Sequence, residues 1–552
     1  MLELFDPNDI QNLEQARQAI IEVLNLVEDL VAENRKQREE IQRLRDENNR
    51  LKGEQGKPKV KPRRKPPEST PSDHSSEQER RTPKKRQKRK KVSQIQIDRE
   101  EKVAVDPACL PTDAEFKGHE RVVVQDIRIC TDHVRFLKEK YYSRSAGQCY
   151  VADLPTGYEG EFGPGLKALT RVLYHALNVS EPKIEEFYQH IGVQISSGQV
   201  SNLLIKNQDC FHDEKDAVYE AGLRSSPWQH IDDTATRVNG VNQHCHVVCN
   251  PLYTAYFTTE KKTRLTVLDI LTNFRLRTYL LNDETYAWLA QIGLSARVIE
   301  RLQKLPRGQV LSEEQFLSLL DQHQLKLGPQ QRQRVLEAAA VTAYHAQEAF
   351  PVVELLLCDD APQFKRTTDE LALCWIHDAR HYKKLSPAVA HHRKLLKQFM
   401  ERYWDFYHKL VAHQLDPTPE NATQLETEFD DLFSTVTGYT GLDRRIAMTQ
   451  DKKEALLMVL CHPEIPLHNN PAEIEIRRRV RKRDVSFGPR TEEGKRAWDT
   501  FATLAATAKK LGVSFYQYIY DRVSGANDIA NLADLIAQRA KQENLGASWE
   551  SV

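Results

Sequence analysis

The residues best suited to chemistry are three acids far apart in the chain, Asp232, Asp359 and Glu473. Asp232 lies inside Trp228–Val238 (WQHIDDTATRV), a run of branched and apolar residues without helical period that ends at Asn239-Gly240. Asn-Gly between two such runs marks a hairpin, because both central turn residues need positive φ. Further runs at Gln243–Cys249 and, past Asn250-Pro251, at Leu252–Thr258 make three consecutive antiparallel strands. Asp359 follows the apolar run Val352–Cys358. That position is just past the carboxyl end of a buried strand, where open α/β sheets place their chemistry. Glu473 follows Pro471, a residue tolerated in the first turn of a helix because that N–H would be unpaired anyway. Such a layout can hold a catalytic metal, and oxygen ligands favour Mg2+ or Mn2+ over zinc.

Four blocks extend the pattern: Asp232-Asp233-Thr234, Cys358-Asp359-Asp360, Cys374-Trp375-Ile376-His377 and Asn469-Asn470-Pro471-Ala472-Glu473. In this order they resemble the insertion-sequence 66 family of bacterial DDE transposases, over roughly residues 162–520. The Asn-Asn-x-Ala-Glu block, followed by basic residues and by Thr491–Gly494 (TEEG), is its most specific piece. The resemblance implies an α/β fold, an RNase H-like mixed sheet with helical insertions. It implies that Asp232, Asp359 and Glu473 are the catalytic and metal-binding residues, with Mg2+ (or Mn2+) as cofactor. Asp232 would bridge two ions, Asp359 hold one and Glu473 the other. The implied reaction is cleavage at transposon ends, then joining of the freed 3′ hydroxyls to target DNA. His377 and Arg380 match a family block and are expected near the scissile phosphate; a helix cap is the alternative for His377.

Each acid has a neighbour to set aside. Asp233 points to the opposite strand face from Asp232. Asp360 adjoins Asp359, and Glu475 lies about 200° around the helix from Glu473.

The surrounding chain divides into units. Residues 10–52 read as a coiled coil, with Leu13, Ile20, Val27, Asn34, Ile41 and Asn48 at a positions and Ala16, Val23, Leu30, Gln37, Leu44 and Leu51 at d. Asn34 and Asn48 favour a parallel homodimer; the alternative is one amphipathic helix packed on its own domain. Residues 53–94 form a basic linker with too little apolar surface to fold alone. Within it Arg80, Arg81, Lys84, Lys85, Arg86, Lys88, Arg89, Lys90 and Lys91 are expected to contact DNA phosphates, against a plain solvated spacer.

Residues 95–160 form a small β-containing region, with strands expected at Arg121–Ile129 and Val134–Tyr141. Of its Cys109, His119, Cys130, His133 and Cys149 only Cys130–His133 has ligand-like spacing and no Cys-x-x-Cys pair occurs, so the cysteines read as ordinary buried thiols, with a zinc site as the alternative. Residues 161–210 fit a helix-turn-helix-like unit with Ser197, Gln199 and Asn202 towards a groove, or equally a helical spacer. The catalytic region spans 225–490, with helical insertions at 272–350 and 385–460, and C-terminal helices fill 491–552. The first insertion is longer than the resembled family leads one to expect. After Glu473 the cluster Arg477, Arg478, Arg479, Arg481 and Lys482 is expected to meet DNA.

Charge balance, 79 basic against 79 acidic residues, argues nothing for nucleic acid; the clustering of charge does. Nine cysteines without a signal peptide fit a reducing bacterial cytoplasm, near the nucleoid, and no apolar run is long enough for a membrane span. The expected partner is double-stranded DNA, with helper proteins from the same element left open. The rival class is a dimeric DNA-binding protein, derived from a transposase, without catalysis. A structural coiled-coil scaffold leaves the Asn-Asn-x-Ala-Glu block unexplained.

Overall fold

The computed structural model describes residues 10, 12–51, 95–111, 113–127, 129–323 and 327–549. The basic arm Arg80–Lys91, and the linker around it, lie outside the described residues. The chain opens with one 39-residue helix, α1 (Leu13–Leu51). A small hairpin follows, β1 (Lys140–Ser143) with β2 (Gln148–Val151). It replaces the two expected strands: the described part of Arg121–Ile129 is unpaired, with Val122, Val124, Ile127 and Ile129 exposed. Cys109, Cys130 and Cys149, expected to be buried, are exposed too because no core forms over this region. Helices α2 (Pro164–Arg171), α3 (Glu181–His190), α4 (Ser197–Ile205) and α5 (Asp209–Arg224) come next. The turn from α3 to α4 ends in a Ser196/Gln199 capping box, which fixes where α4 starts.

The central sheet is built on β3 (Trp228–Val238), β4 (Val241–Cys249) and β5 (Thr254–Thr259), all antiparallel. Asn239 (φ 48°) and Gly240 (φ 77°) make the two-residue turn between β3 and β4. The third strand starts at Thr254 and not Leu252, because the Asn250 side chain accepts from Leu252 N (2.9 Å) and holds a turn there.

After β5 the chain leaves the sheet through α6 (Arg264–Leu271), the two-residue strands β6 (Thr278–Tyr279) and β7 (Leu311–Ser312), and helices α7 (Asp283–Gln291), α8 (Ala296–Leu302), α9 (Glu313–Gln322) and α10 (Pro329–Ala346). The continuous helical pattern at Trp288–Leu302 is two helices, broken at Gly293 (φ 73°). The chain then returns as β8 (Leu355–Cys358), parallel to β3, with β9 (Glu370–Leu373) parallel beyond it. The sheet order is β5-β4-β3-β8-β9. The expected strand Glu370–Ile376 stops at Leu373, since Trp375 and Ile376 open α11 (Trp375–Lys383). A short buried apolar run does not distinguish a strand from a first helical turn.

The remaining helices are α12 (Ala390–Leu415), α13 (Pro419–Phe433), α14 (Thr440–Gln450), α15 (Lys453–Leu456), α16 (Met458–Cys461), α17 (Asn470–Ser486), α18 (Glu492–Lys510), α19 (Phe515–Ser524) and α20 (Leu532–Glu543). Helix α18 closes the β5 edge. Thr507 Oγ1, Thr503 Oγ1 and Asp499 Oδ2 accept from the backbone N–H of Thr254, Tyr256 and Thr258 at 3.2, 3.0 and 2.7 Å. Four helical residues rise about 6 Å and two strand residues about 6.8 Å, so the two spacings keep step over three contacts. No described helix is long and apolar enough to cross a membrane.

Candidate active site

Two of the three acids are brought together by sheet register. Trp228, Gln229 and His230 pair with Leu355, Leu356 and Leu357. Carried two residues further, the same parallel register sets Asp232 beside Asp359. Asp232 accepts from Asp233 N (2.8 Å) and Asp359 from Ala361 N (3.1 Å), and among the described residues neither is ion-paired. Burial, and then the charge of Asp359, push the Asp232 carboxyl up to about 7. Burial raises Asp359 as well, against a hydrogen bond from Ala361 and the nearness of His377.

The third acid arrives on α17, which is tied to β3 by Asn469. Its Oδ1 accepts from His230 Nδ1 (2.9 Å), and its Nδ2 donates to Ile231 O (2.8 Å), the residue before Asp232. Asn469 N also donates to Cys374 Sγ (3.2 Å), and Trp375 N donates to Leu467 O (3.1 Å). Ala472 packs between α17 and the sheet, on Val247, Cys249 and Tyr256. The Asn-Asn-Pro-Ala-Glu block is therefore a staple, a helix start, a contact small enough for close approach, and then the acid.

Glu473 is engaged by Arg380, whose Nη1 and Nη2 donate to its two oxygens at 2.7 and 3.1 Å. Burial would raise the Glu473 carboxyl, but Arg380, with His377 and Arg477, holds it below the usual range. Arg380 Nη1 also lies 2.9 Å from His377 Nε2, that ring nitrogen lies 3.2 Å from Glu473 Oε1, and His377 Nδ1 is a buried atom with no hydrogen-bond partner among the described residues. Burial lowers the His377 pKa, so the ring is neutral at neutral pH. His377 sits within the first turns of α11 and makes no cap.

The neighbouring acids already have partners. Asp233 binds Lys262 (3.1 Å) and Gln363 Nε2 (2.6 Å). Asp360 pairs with Lys365 and Lys452, and Glu475 accepts from Tyr256 OH (2.8 Å) and Arg478 (2.8 Å). Among the described residues no three His, Cys, Asp or Glu side chains converge closely enough, as they stand, to hold an ion. The donor chemistry nonetheless fits a hard divalent cation. Two half-buried carboxylates near enough for one to raise the other have no ion-paired cation among the described residues, and the third is neutralised by an arginine that a metal could replace.

The basic cluster after Glu473 separates into two groups. Arg477 and Arg481 are exposed, and Arg478 is half-buried on Glu475. Arg479 and Lys482, expected at DNA, are interior residues. Arg479 donates to Asp499 (2.9 Å) and Thr258 (2.8 Å) and lies over the Trp498 ring. Lys482 sits 3.3 Å from the centre of the Tyr174 ring, and burial lowers its pKa to about 7. A dense run of arginines on one helix must place some on the packed face, and spacing alone did not single those out. Ser197, Asn202 and Lys206 of the α4 region are exposed, while Gln199 is spent on Ser196 and Glu161.

A family model described as the transposase IS66 family matches residues 159–293 and 340–497. The unmatched stretch falls inside the expected first insertion and holds α8, α9 and the first turns of α10. An uncharacterized protein, y4jO, of Sinorhizobium fredii (strain NBRC 101917 / NGR234) is 32% identical over 321 residues, 58% of this chain and 99% of its own length. With more than half of the chain matched by that model, the protein belongs to the IS66 family of transposases.

Proposed function

We propose that this transposase cleaves DNA at the ends of its insertion sequence and joins the 3′ hydroxyls to target DNA, with Asp232, Asp359 and Glu473 as ligands for Mg2+ or Mn2+. The observation that carries the reading is the parallel register of His230 with Leu357, which extended by two residues brings Asp232 beside Asp359, one residue from the backbone oxygen that Asn469 grips. The strand order β5-β4-β3-β8-β9, with the first three strands antiparallel and the last two parallel to the first, supports an RNase H-like core. Asp232, Asp359 and Glu473 would hold the divalent ions, which would supply a deprotonated nucleophile and neutralise the leaving 3′ oxygen.

The chain's own part in this is electrostatic and positional. Asp232 and Asp359 offer facing oxygens in a site dry enough to resist holding two bare charges. Glu473 completes the set when Arg380 releases it. A freed Arg380 guanidinium would be a charge-assisted donor to a phosphate oxygen, with the His377 ring beside it. Arg477, Arg481 and the basic arm are assigned to the flanking phosphates. The apolar a/d seam of α1, exposed along its length, is assigned to a second copy of the chain.

The test is Mg2+-dependent nicking of DNA that carries the element's ends. Asp232→Asn, Asp359→Asn and Glu473→Gln should each lower cleavage by at least 100-fold, the low end of what removing one such electrostatic group costs, with DNA affinity retained. Asp233→Asn should lose far less. Wild-type protein that binds end DNA without nicking it would leave the DNA-binding dimer instead.

A further inference from the structure

Helix α1 touches the body of its own chain through two polar side chains one turn apart, Asn25 and Glu28. Val389, the residue before α12, and Tyr439, the residue before α14, supply no side-chain cap to their helices. Both deficits are met from α1. Glu28 accepts from Ala388 N (2.6 Å), Val389 N (3.0 Å) and His392 Nδ1 (3.2 Å). Asn25 Oδ1 accepts from Thr440 N (3.1 Å), and Asn25 Nδ2 donates to Gly438 O (2.8 Å). His392 and Tyr439 stack at 4.2 Å between the two caps, and Ile21 packs over Gly438. Exposed N-terminal N–H groups of a helix need acceptors, and a carboxylate there also meets the positive end of the helix dipole.

This face of α1 is not the heptad seam. Ile21, Asn25 and Glu28 occupy b, f and b positions, on the order of 140° around the helix from the a/d line. On that line Ile20, Val23, Val27 and Leu30 remain 43–59% exposed, and every residue from Asp29 to Arg45 is exposed. The body side of the contact leads to the acids. Arg445 of α14 pairs with buried Asp378 of α11, and Thr449 Oγ1 lies 2.8 Å from Tyr382 OH. Helix α11 also carries Arg380, which holds Glu473.

We propose that α1 is a two-faced connector. Its a/d seam takes the same helix of a second copy, while Asn25 and Glu28 lock it to α12 and α14 of its own chain. Pairing of two copies thereby fixes two active sites relative to one another. The seam half rests on the dimer reading given above; the lock stands on its own contacts.

The experiment compares full-length wild type with Asn25→Ala/Glu28→Ala by light scattering and by amide exchange. The expected result is a dimer in both proteins, with the amides of Ala388, Val389 and Thr440 exchanging on the order of tenfold faster in the variant, as for removal of helix caps. Unchanged exchange at those amides overturns the lock and leaves the dimer reading intact. A monomeric wild type with protected amides overturns the dimer reading and leaves the lock. An Asn25→Cys/Thr440→Cys protein, oxidised and run beside each single-cysteine variant, then reports whose body is gripped. A band of one-chain mass is expected. A two-chain band specific to the double variant overturns attachment within the chain.

Discussion

Arg380 grips Glu473 with both terminal guanidinium nitrogens, at 2.7 and 3.1 Å, while Asp232 and Asp359 accept hydrogen bonds from the backbone N–H groups of Asp233 and Ala361. The facing aspartates have no cation, whereas the glutamate has one built in. The site is thus charge-compensated unevenly, and the arginine competes with any ion for the third ligand.

Arg380→Gln should therefore bind Mn2+ several-fold more tightly than wild type in the absence of DNA, because Glu473 is released. The same variant should cleave at least tenfold more slowly, since a charge-assisted donor to phosphate is lost. Mn2+ titration followed by paramagnetic resonance checks the first outcome. Unchanged affinity would mean that the pair does not compete with metal.

Asp232 makes the site pH-sensitive with a definite sign. Its carboxyl is raised from 3.8 to about 7 by burial and by Asp359, so the metal-free folded protein keeps a proton that the unfolded chain releases. Stability without metal should fall as pH rises through that window and level off above it; Asp232→Asn should remove this slope. Divalent metal binding at pH 6 should likewise release close to one proton, and almost none above pH 8. Calorimetry in two buffers of different ionisation heat measures the release.

Asn469→Ala should strand the buried His230 Nδ1 and Ile231 O, costing about 1–3 kcal/mol for each unsatisfied group. The melting temperature should drop and cleavage with it. Asn470→Ala is the milder control, because Asn470 Oδ1 has no partner to lose.

Removing the charges of Arg80–Lys91 by serine substitution, at constant length, tests the basic arm. If it neutralises about five phosphates, the slope of log affinity against log salt becomes shallower by about 4.5. Specific and unrelated DNA should weaken alike, since phosphate contacts carry no base information. An unchanged slope leaves the segment as a tether.

The β3–β4 hairpin was legible because Asn239-Gly240 is a local signal, and β3 matches its expected span. The position of Asp359 followed from a short apolar run ending in acids. What spacing could not reveal is long-range partnership. Nothing near residue 469 announces that its amide binds His230, and nothing near 380 announces Glu473. The overlong reading of β9 and the burial of Arg479 and Lys482, which were expected at a surface, have a related cause. Burial depends on what packs opposite, and a local pattern does not contain it. Glu28 and Asn25 fell at heptad surface positions, where polar residues are the default and a specific contact is hidden among them.

The Thr507, Thr503 and Asp499 side chains of α18 also protect the β5 edge from other chains. A bare edge strand is a template on which any other extended segment can add itself. At β5 the outward N–H groups of Thr254, Tyr256 and Thr258 are already taken by side chains of a helix, and that helix lies where an added strand would run. Sheet-to-sheet growth is blocked on this side, so crowding does not drive β-mediated aggregation through this edge.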